Sequence, residues 1–400
     1  MPLQVSQTAA PQEPLDRISA IDILRGIALF GVLMVNLVTE FRVDIFQQFL
    51  PTTGPASGLD HDVQTGVAVF LELKAFALFS FLFGVGLAIQ FERLARAQPR
   101  FVLLVRRLVV LLGFGLIHFY LIWNGDILTE YALIGLIALP MLYLSNVWLA
   151  TFALLLLAFY IGLPHSLPLD FFWPSAAWLQ HHVEEANRVY ASGTYAEILK
   201  FSWQEILHIL PLHVAIAART LALFLLGVVA WRTGLVRQPE RHRPLLVGLM
   251  VFGLLVGTAL TLLEVVGPHS TWIGLARTLD GFAPLSPVIL AMGYMSAVIV
   301  LVSFTPARGV LSVFGPLGRM AFTNYLMQSL IFCGIFYGYG LGYFGKLGAA
   351  STLILGIVIY ALQIVTSIRW LKHYRFGPVE WLWRTLMYGT RQPFAQLMAM

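Results

Sequence analysis

The sequence is poor in charge and almost devoid of cysteine. Asp, Glu, Lys and Arg make up 11% of 400 residues, against about 25% in an ordinary globular chain. That shortage excludes a disordered chain, which needs high charge and low hydrophobicity. It also excludes a coiled coil, which needs charged heptad flanks, and no glycine period of collagen type occurs. The single cysteine, Cys333, excludes an internal disulfide framework, a cysteine zinc site and an iron–sulfur cluster. P-loop, GxSxG and HExxH patterns are missing, and with them the signatures of soluble ATPases, α/β-hydrolases and zincins. No alternation at β-barrel spacing is present.

What is abundant is apolar. Hydrophobic residues are 58% of the chain, and the mean hydropathy is +0.80. A soluble fold of this size cannot hide that much apolar surface, and a helical bundle is the remaining way to cross a bilayer. The chain therefore reads as an all-α polytopic membrane protein. A hydrocarbon core of about 30 Å needs about 20 apolar residues per helix. Ten segments qualify, roughly 20–39, 67–91, 102–123, 128–145, 147–164, 209–231, 245–266, 282–303, 319–340 and 348–369. The fourth and fifth are nearly continuous and predict a tight hairpin at Ser145-Asn146.

Residues 1–18 are polar and lack the basic start, apolar run and cleavage site of a signal peptide. They read as a cytoplasmic tail, with the bundle over 19–369 and an interfacial cytoplasmic tail over 370–400, rich in Trp and Arg. Most of the 25 lysines and arginines fall on one set of loops, among them Arg93, Arg100, Arg232, Arg237, Arg243, Arg308 and Lys372. By the positive-inside rule both termini are inside. The net charge of +5 sits at helix ends, so nucleic acid is not an expected partner. Two outer loops are long, 40–66 and 165–208. The second reads as one or two amphipathic helices lying on the membrane or lidding the bundle. Acids and histidines concentrate on this outer side. Either they sit there freely, because only Lys and Arg obey the inside rule, or the outer face handles a polar substrate.

Ionisable residues inside a span cost about 2.5–3.5 kcal/mol each on insertion scales and tend to line functional cavities. Few qualify. Arg219 lies about ten residues into the sixth span, where it either binds an anionic group or pairs with Glu72 or Glu264. Glu72 and Lys74 lie in the second span and, two apart on a continuous helix, face differently. The third span starts at Arg106 and Arg107 and reaches His118 about 20 Å higher. Trp123 and Asp126 follow at the outer turn. A neutral imidazole can take a proton from a hydroxyl or amine, and a carboxylate can orient it; otherwise His118 is a hydrogen-bonded interface residue. In the ninth segment Asn324 and Gln328 share a face near Arg319, either lining a polar path or gluing helices together. Gly84 and Gly86, with Ser80, suit close helix packing. His181-His182 with Glu184-Glu185 either binds a metal or, as such clusters on a surface helix more often do, forms a solvated face; no metal is expected.

The run Asp22-Ile-Leu-Arg-Gly-Ile-Ala-Leu-Phe-Gly-Val-Leu-Met-Val-Asn36 resembles the opening of the bacterial YeiB family of membrane proteins. Three further blocks agree: Lys74 to Gly86, Gly115 to Tyr131, and Gly318 to Ser329. The tail from Phe376 to Arg384 fits as well. That family is similar to a wider superfamily of transmembrane acyltransferases, which includes the lysosomal heparan-α-glucosaminide N-acetyltransferase. The shared element is the first helix, with Asp22, Arg25, Gly26 and Asn36, and the basic start of the third. The resemblance implies transfer of an acyl group from cytosolic acyl-CoA, as co-substrate, to a sugar or envelope acceptor across the bacterial cytoplasmic membrane. In the acetyltransferase a histidine follows the asparagine closely. Here none occurs after Asn36 until His61, so His118 or His61 takes that role.

The expected site follows. Arg25, Arg106, Arg107 and Arg319 attract the donor's phosphates; Asn324 and Gln328 line the path of its pantetheine arm. His118 with Asp126 is the base, and Asn36 polarises the thioester carbonyl. Arg219, Glu72, Lys74, His61 and Trp123 contact the acceptor. The expected partners are the bilayer, an acyl donor and an acceptor, and a homodimer is compatible with this. The rival reading is a transporter or lipid handler using Arg219, Glu72 and Lys74, which a broken helix or inverted repeat would favour. A scaffold with a closed, dry interior is a third reading.

Overall fold

The computed structural model describes residues 19–50, 58–95, 100–166, 174–267 and 272–396, with side chains only to 162 in the third stretch. The N-terminal tail and parts of both long loops (51–57 and 167–173) lie outside the described residues.

Among these residues the fold is all-helical, with one isolated bridge between Tyr374 and Ala395. The order is α1 Ser19–Asn36, α2 Leu59–Phe70, α3 Lys74–Arg93, α4 Arg100–Leu121, α5 Leu128–Met141, α6 Asn146–Ser166, α7 Ala176–Ser192 and α8 Tyr195–Arg232. Then come α9 Arg243–Val265, α10 Ile273–Leu279, α11 Ser286–Phe304, α12 Arg308–Leu311, α13 Phe314–Arg319, α14 Ala321–Phe336, α15 Ala349–His373 and α16 Pro378–Tyr388. Seven helical segments are long and apolar enough to cross a membrane, and α5, α6 and α14 are shorter apolar helices. The protein is thus a helical membrane protein.

The burial pattern sorts the helices. Of the most apolar stretch of α1, 83% is buried, against 22% for α9. So α1 is central and α9 peripheral. The exposed residues of α4, α6 and α9 are themselves apolar, such as Val109, Leu154, Leu155, Phe252 and Leu255. A surface of that kind is stable only against lipid. Inside the bundle small residues let backbones meet. A Cβ on Gly84 would lie 2.0 Å from the Phe224 carbonyl oxygen, and one on Gly227 would lie 2.2 Å from that of Phe81. The predicted close packing at Gly84 therefore joins α3 to α8.

Three helices differ from the expected spans. The second span breaks at Leu71–Leu73, and Leu73 adopts left-handed backbone (φ 59°). No glycine or proline marks this break, so sequence gave no warning of it. Lys74 Nζ donates to the Ala68 carbonyl at 2.7 Å, satisfying an acceptor that helix continuation would have used. The sixth span begins at Tyr195 rather than near residue 209, because Pro211 sits within a continuous 38-residue helix. At 1.5 Å per residue that helix is ~57 Å long, well beyond the ~30 Å of a hydrocarbon core, so the end of the expected amphipathic segment is continuous with the span. A capping box between Thr194 and Glu197 starts it. Third, α1 widens into a π-turn over Leu37–Phe41. The α5–α6 hairpin turns at Ser145, as expected.

The C-terminal tail packs under the bundle. Trp383 Nε1 donates to the Arg107 carbonyl (3.0 Å), and Glu380 accepts from the backbone N–H groups of Phe322 (2.9 Å) and Thr323 (3.0 Å). Those N–H groups open α14 and lack intrahelical partners.

Candidate functional site

At one end of the bundle α1, α4 and α8 bring together a belt of buried polar groups in otherwise apolar surroundings. Its centre is the predicted pair. His118 Nδ1 lies 2.9 Å from Asp126 Oδ1, and both residues are essentially inaccessible. The chain builds this contact locally. α4 ends at Leu121, and the turn Trp123-Asn124-Gly125-Asp126 folds back over its last turn. The second oxygen of Asp126 accepts from the Thr129 backbone N–H at 2.7 Å, in the first turn of α5. Asp126 is therefore held from two sides, and it holds His118 in one orientation. The other ring nitrogen, Nε2, is buried and has no hydrogen-bond partner. Trp123 meets His118 edge-on at 6.1 Å between centroids, and Tyr325 lies at 5.3 Å.

The π-turn of α1 closes over this turn. Phe41 stacks on Trp123 at 4.2 Å. A Cβ on Gly125 would lie 2.2 Å from the Trp123 ring and 2.5 Å from Glu40 Oε2, so a side chain there would displace the buried Trp123 ring. Asn36, one turn earlier, is buried with its side-chain oxygen unpartnered. From α8, His213 Nδ1 lies 2.9 Å from Glu130 Oε2, and Thr220 donates to the other oxygen at 2.8 Å.

Arg219 is 2% exposed, and its Nε and Nη1 have no hydrogen-bond partner. Its guanidinium lies over the Tyr160 ring at 5.5 Å. The alternative ion pair to Glu72 or Glu264 is absent among the described residues: Glu264 accepts from Ser286 at 2.7 Å, and Glu72 lies in the helix break. Because of that break, Lys74 turns toward the Ala68 carbonyl and does not project from a continuous helix face. His61 is exposed on α2.

Toward the opposite end of α4, Arg107 carries an unpartnered buried Nη1 and stacks over Trp383 at 4.6 Å. The charges of Arg384 and Arg25 act on it directly. Arg25 also contacts Asp22 at 3.4 Å. Arg106 is exposed beside Gly389, and Arg319 donates to the Arg375 carbonyl at 3.4 Å. Asn324 and Gln328 point into the α14–α15 interface. Asn324 Nδ2 donates to Ser367 Oγ (3.0 Å), Gln328 Nε2 donates to Gln363 Oε1 (2.7 Å), and Gln363 returns a bond to the Asn324 carbonyl (3.0 Å). Of the two uses their spacing allowed, these amides serve interhelical bonding.

A second buried cluster lies above the pair. His182 Nε2 is 2.9 Å from Glu205 Oε1 and 4.0 Å from Asp44 Oδ2. Glu205 Oε2 accepts from Asn124 Nδ2 at 2.8 Å and from the Tyr190 hydroxyl. Burial raises the Asp44 carboxyl well above its usual range, and the neighbouring Glu205 adds to the rise. Burial lowers His182. Sequence reading singled out His182 but assigned it to a solvated face. That holds for exposed His181 and Glu184, whereas His182 turns inward to acids outside its own helix. Two surface clefts are formed elsewhere, one of about 430 Å³ at Tyr120 and Trp203 and one of about 340 Å³ at Glu264 and Arg277. His118 lines neither.

Residues 230–390 match the family described as protein of unknown function (DUF418). The chain is 36% identical to the uncharacterized protein YxaH of Bacillus subtilis (strain 168), over 95% of this chain and 96% of that one. It is 29% identical to the uncharacterized protein YeiB of Escherichia coli (strain K12), over 95% and 98%. An uncharacterized 39.9 kDa protein from the amylase 3' region of Bacillus acidopullulyticus is 28% identical over 94% and 96%. With this identity along almost its whole length, the chain belongs to the YeiB-like DUF418 family.

Proposed function

We propose that the protein is a transmembrane acyltransferase of the bacterial cytoplasmic membrane. It moves an acyl group from cytosolic acyl-CoA to a hydroxyl or amine of a sugar, envelope glycan or lipid at the outer face. The observation that carries this reading is the buried His118–Asp126 pair, with the remaining imidazole nitrogen unpartnered. An imidazole oriented by a carboxylate is suited to general-base work. His118 Nε2 takes the acceptor's proton as the acceptor attacks the thioester carbonyl, and on collapse the carbon–sulfur bond breaks and the imidazolium returns that proton to sulfur, so coenzyme A leaves as the thiol. The Asn36 carboxamide is the candidate to hold the carbonyl oxygen.

The inner arginines supply the other half. Arg107 lies eleven positions before His118 on α4, ~17 Å along the axis, and with Arg25 it forms a basic end for the donor's phosphates. The donor's pantetheine arm has to span that depth. His118 is fully covered, so turnover requires the turn over 123–126 or its cover to move. His118→Ala abolishes transfer from labelled acyl-CoA to envelope acceptors while the protein remains folded; retained transfer sinks the assignment.

The transporter reading gains one observation, the break in the second span. Its position argues against that use. α3 alone has 20 residues, ~30 Å, which already crosses the hydrocarbon core. The break is therefore at the outer boundary, whereas transporter sites on broken helices lie near the midplane.

A further inference from the structure

The proposed transfer leaves the Asp44, His182 and Glu205 cluster without a role. We propose that these three side chains hold one divalent transition-metal ion of zinc type. Their donor atoms lie within 4.8 Å of one another, and all three residues are buried. In each of the two acids one oxygen is anchored and the other faces His182. Asp44 Oδ1 accepts from the Phe46 backbone N–H at 2.9 Å, which leaves Oδ2 facing His182. Glu205 commits Oε2 to Asn124 and Tyr190, which leaves Oε1 facing His182. The His182 ring is gripped between Trp178 (4.3 Å) and Phe201 (5.0 Å), both stacked on it. This is the two-layer design of metal centres, in which partners behind the ligands fix their orientation.

Charge balance points the same way. Two carboxylates face each other in a buried site, and among the described residues no lysine or arginine pairs with either. Like charges so placed repel strongly unless a cation or a proton intervenes. The imidazole selects the type of cation: Mg²⁺ and Ca²⁺ prefer all-oxygen shells, whereas one His and two carboxylates suit zinc, with further positions for water. The ligands come from the segment after α1, from α7 and from α8, so the ion clamps three separate parts of the outer cap. Through Asn124 it also steadies the turn carrying Asp126. The site stands whether or not the protein transfers acyl groups, and its test does not read transfer.

The test is metal content and zinc binding of the purified full-length protein in detergent, stripped with chelator and reloaded. The wild type and the control His181→Ala should each bind one zinc per chain, with manganese weaker and calcium not retained. Glu205→Gln and Asp44→Asn should lose stoichiometric binding, and Asn124→Ala should weaken it by about 10–100-fold. His182→Cys tests the ligand without emptying the site: X-ray absorption should then show a zinc–sulfur distance of ~2.3 Å, absent from the wild type. Folded wild type that takes up no stoichiometric zinc, or prefers calcium, overturns the proposal in favour of a proton shared by the two acids. So does zinc that His182→Cys leaves without a sulfur ligand.

Discussion

Replacing Asp126 by asparagine separates what its two oxygens do. In the native structure Oδ1 meets His118 Nδ1 (2.9 Å) and Oδ2 accepts from the Thr129 N–H (2.7 Å). The backbone donor cannot rotate away. An asparagine therefore keeps its carbonyl oxygen on Thr129 and turns its amide N–H toward His118. The opposite orientation sets two donors against each other and leaves a buried N–H unsatisfied, at about 1–3 kcal/mol. With an N–H facing it, Nδ1 must accept, so the ring proton moves to Nε2, the nitrogen that the proposed reaction needs free. The fold should survive, because the helix-capping bond is kept. Transfer should fall by roughly 10⁴-fold, the loss seen when the same change forces the wrong tautomer in a serine protease triad. Nitrogen NMR of histidine-labelled protein in detergent reads the tautomer directly and needs no acceptor. A protein in which Asp126→Asn leaves the His118 tautomer unchanged would refute the reasoning. Asp126→Ala, by contrast, should also cost about 1 kcal/mol of stability through the lost cap.

Further outcomes follow from the packing and the charges. Gly227→Val should lower the thermal midpoint in detergent sharply, because a side chain there drives the α3 and α8 backbones apart; overpacking of this kind costs about 1–3 kcal/mol or more. Arg219→Leu should leave stability unchanged or raised, since it breaks no ion pair among the described residues and removes a charge that is costly in a membrane; a loss of several degrees would reveal a partner that the reasoning lacks. Burial raises the Glu380 carboxyl above its ordinary 4.5. The folded state then holds that proton more tightly than the unfolded one, so stability falls as pH rises from 4.5 toward the folded value. Glu380→Gln should flatten that part of the pH–stability curve measured by thermal unfolding. Glu380→Ala should orphan the Phe322 and Thr323 N–H groups and destabilise at every pH.

The class of the protein was legible in composition alone. A chain with 58% hydrophobic and 11% charged residues can satisfy its backbone in lipid only as helices or closed barrels, and the apolar runs have helix length. The pairing of His118 with Asp126 was legible too, because eight residues with one helix end between them leave few ways to separate the two. What sequence could not decide were contacts between segments far apart in the chain. Asp44, His182 and Glu205 each looked like outer-surface polarity, since the partners that bury them come from three different elements. The break at Leu73 carries no proline or glycine, so residue type did not announce it; in the fold it is closed locally by the Lys74 bond to the Ala68 carbonyl. Asn324 and Gln328 share a face whether they line a path or hold helices together, and only the arrival of Gln363 and Ser367 from α15 chose between the two. Hydrophobic periodicity is a local property and is written along the chain; the placement of polar groups inside an apolar bundle depends on which helices meet, and that is settled only when the bundle packs.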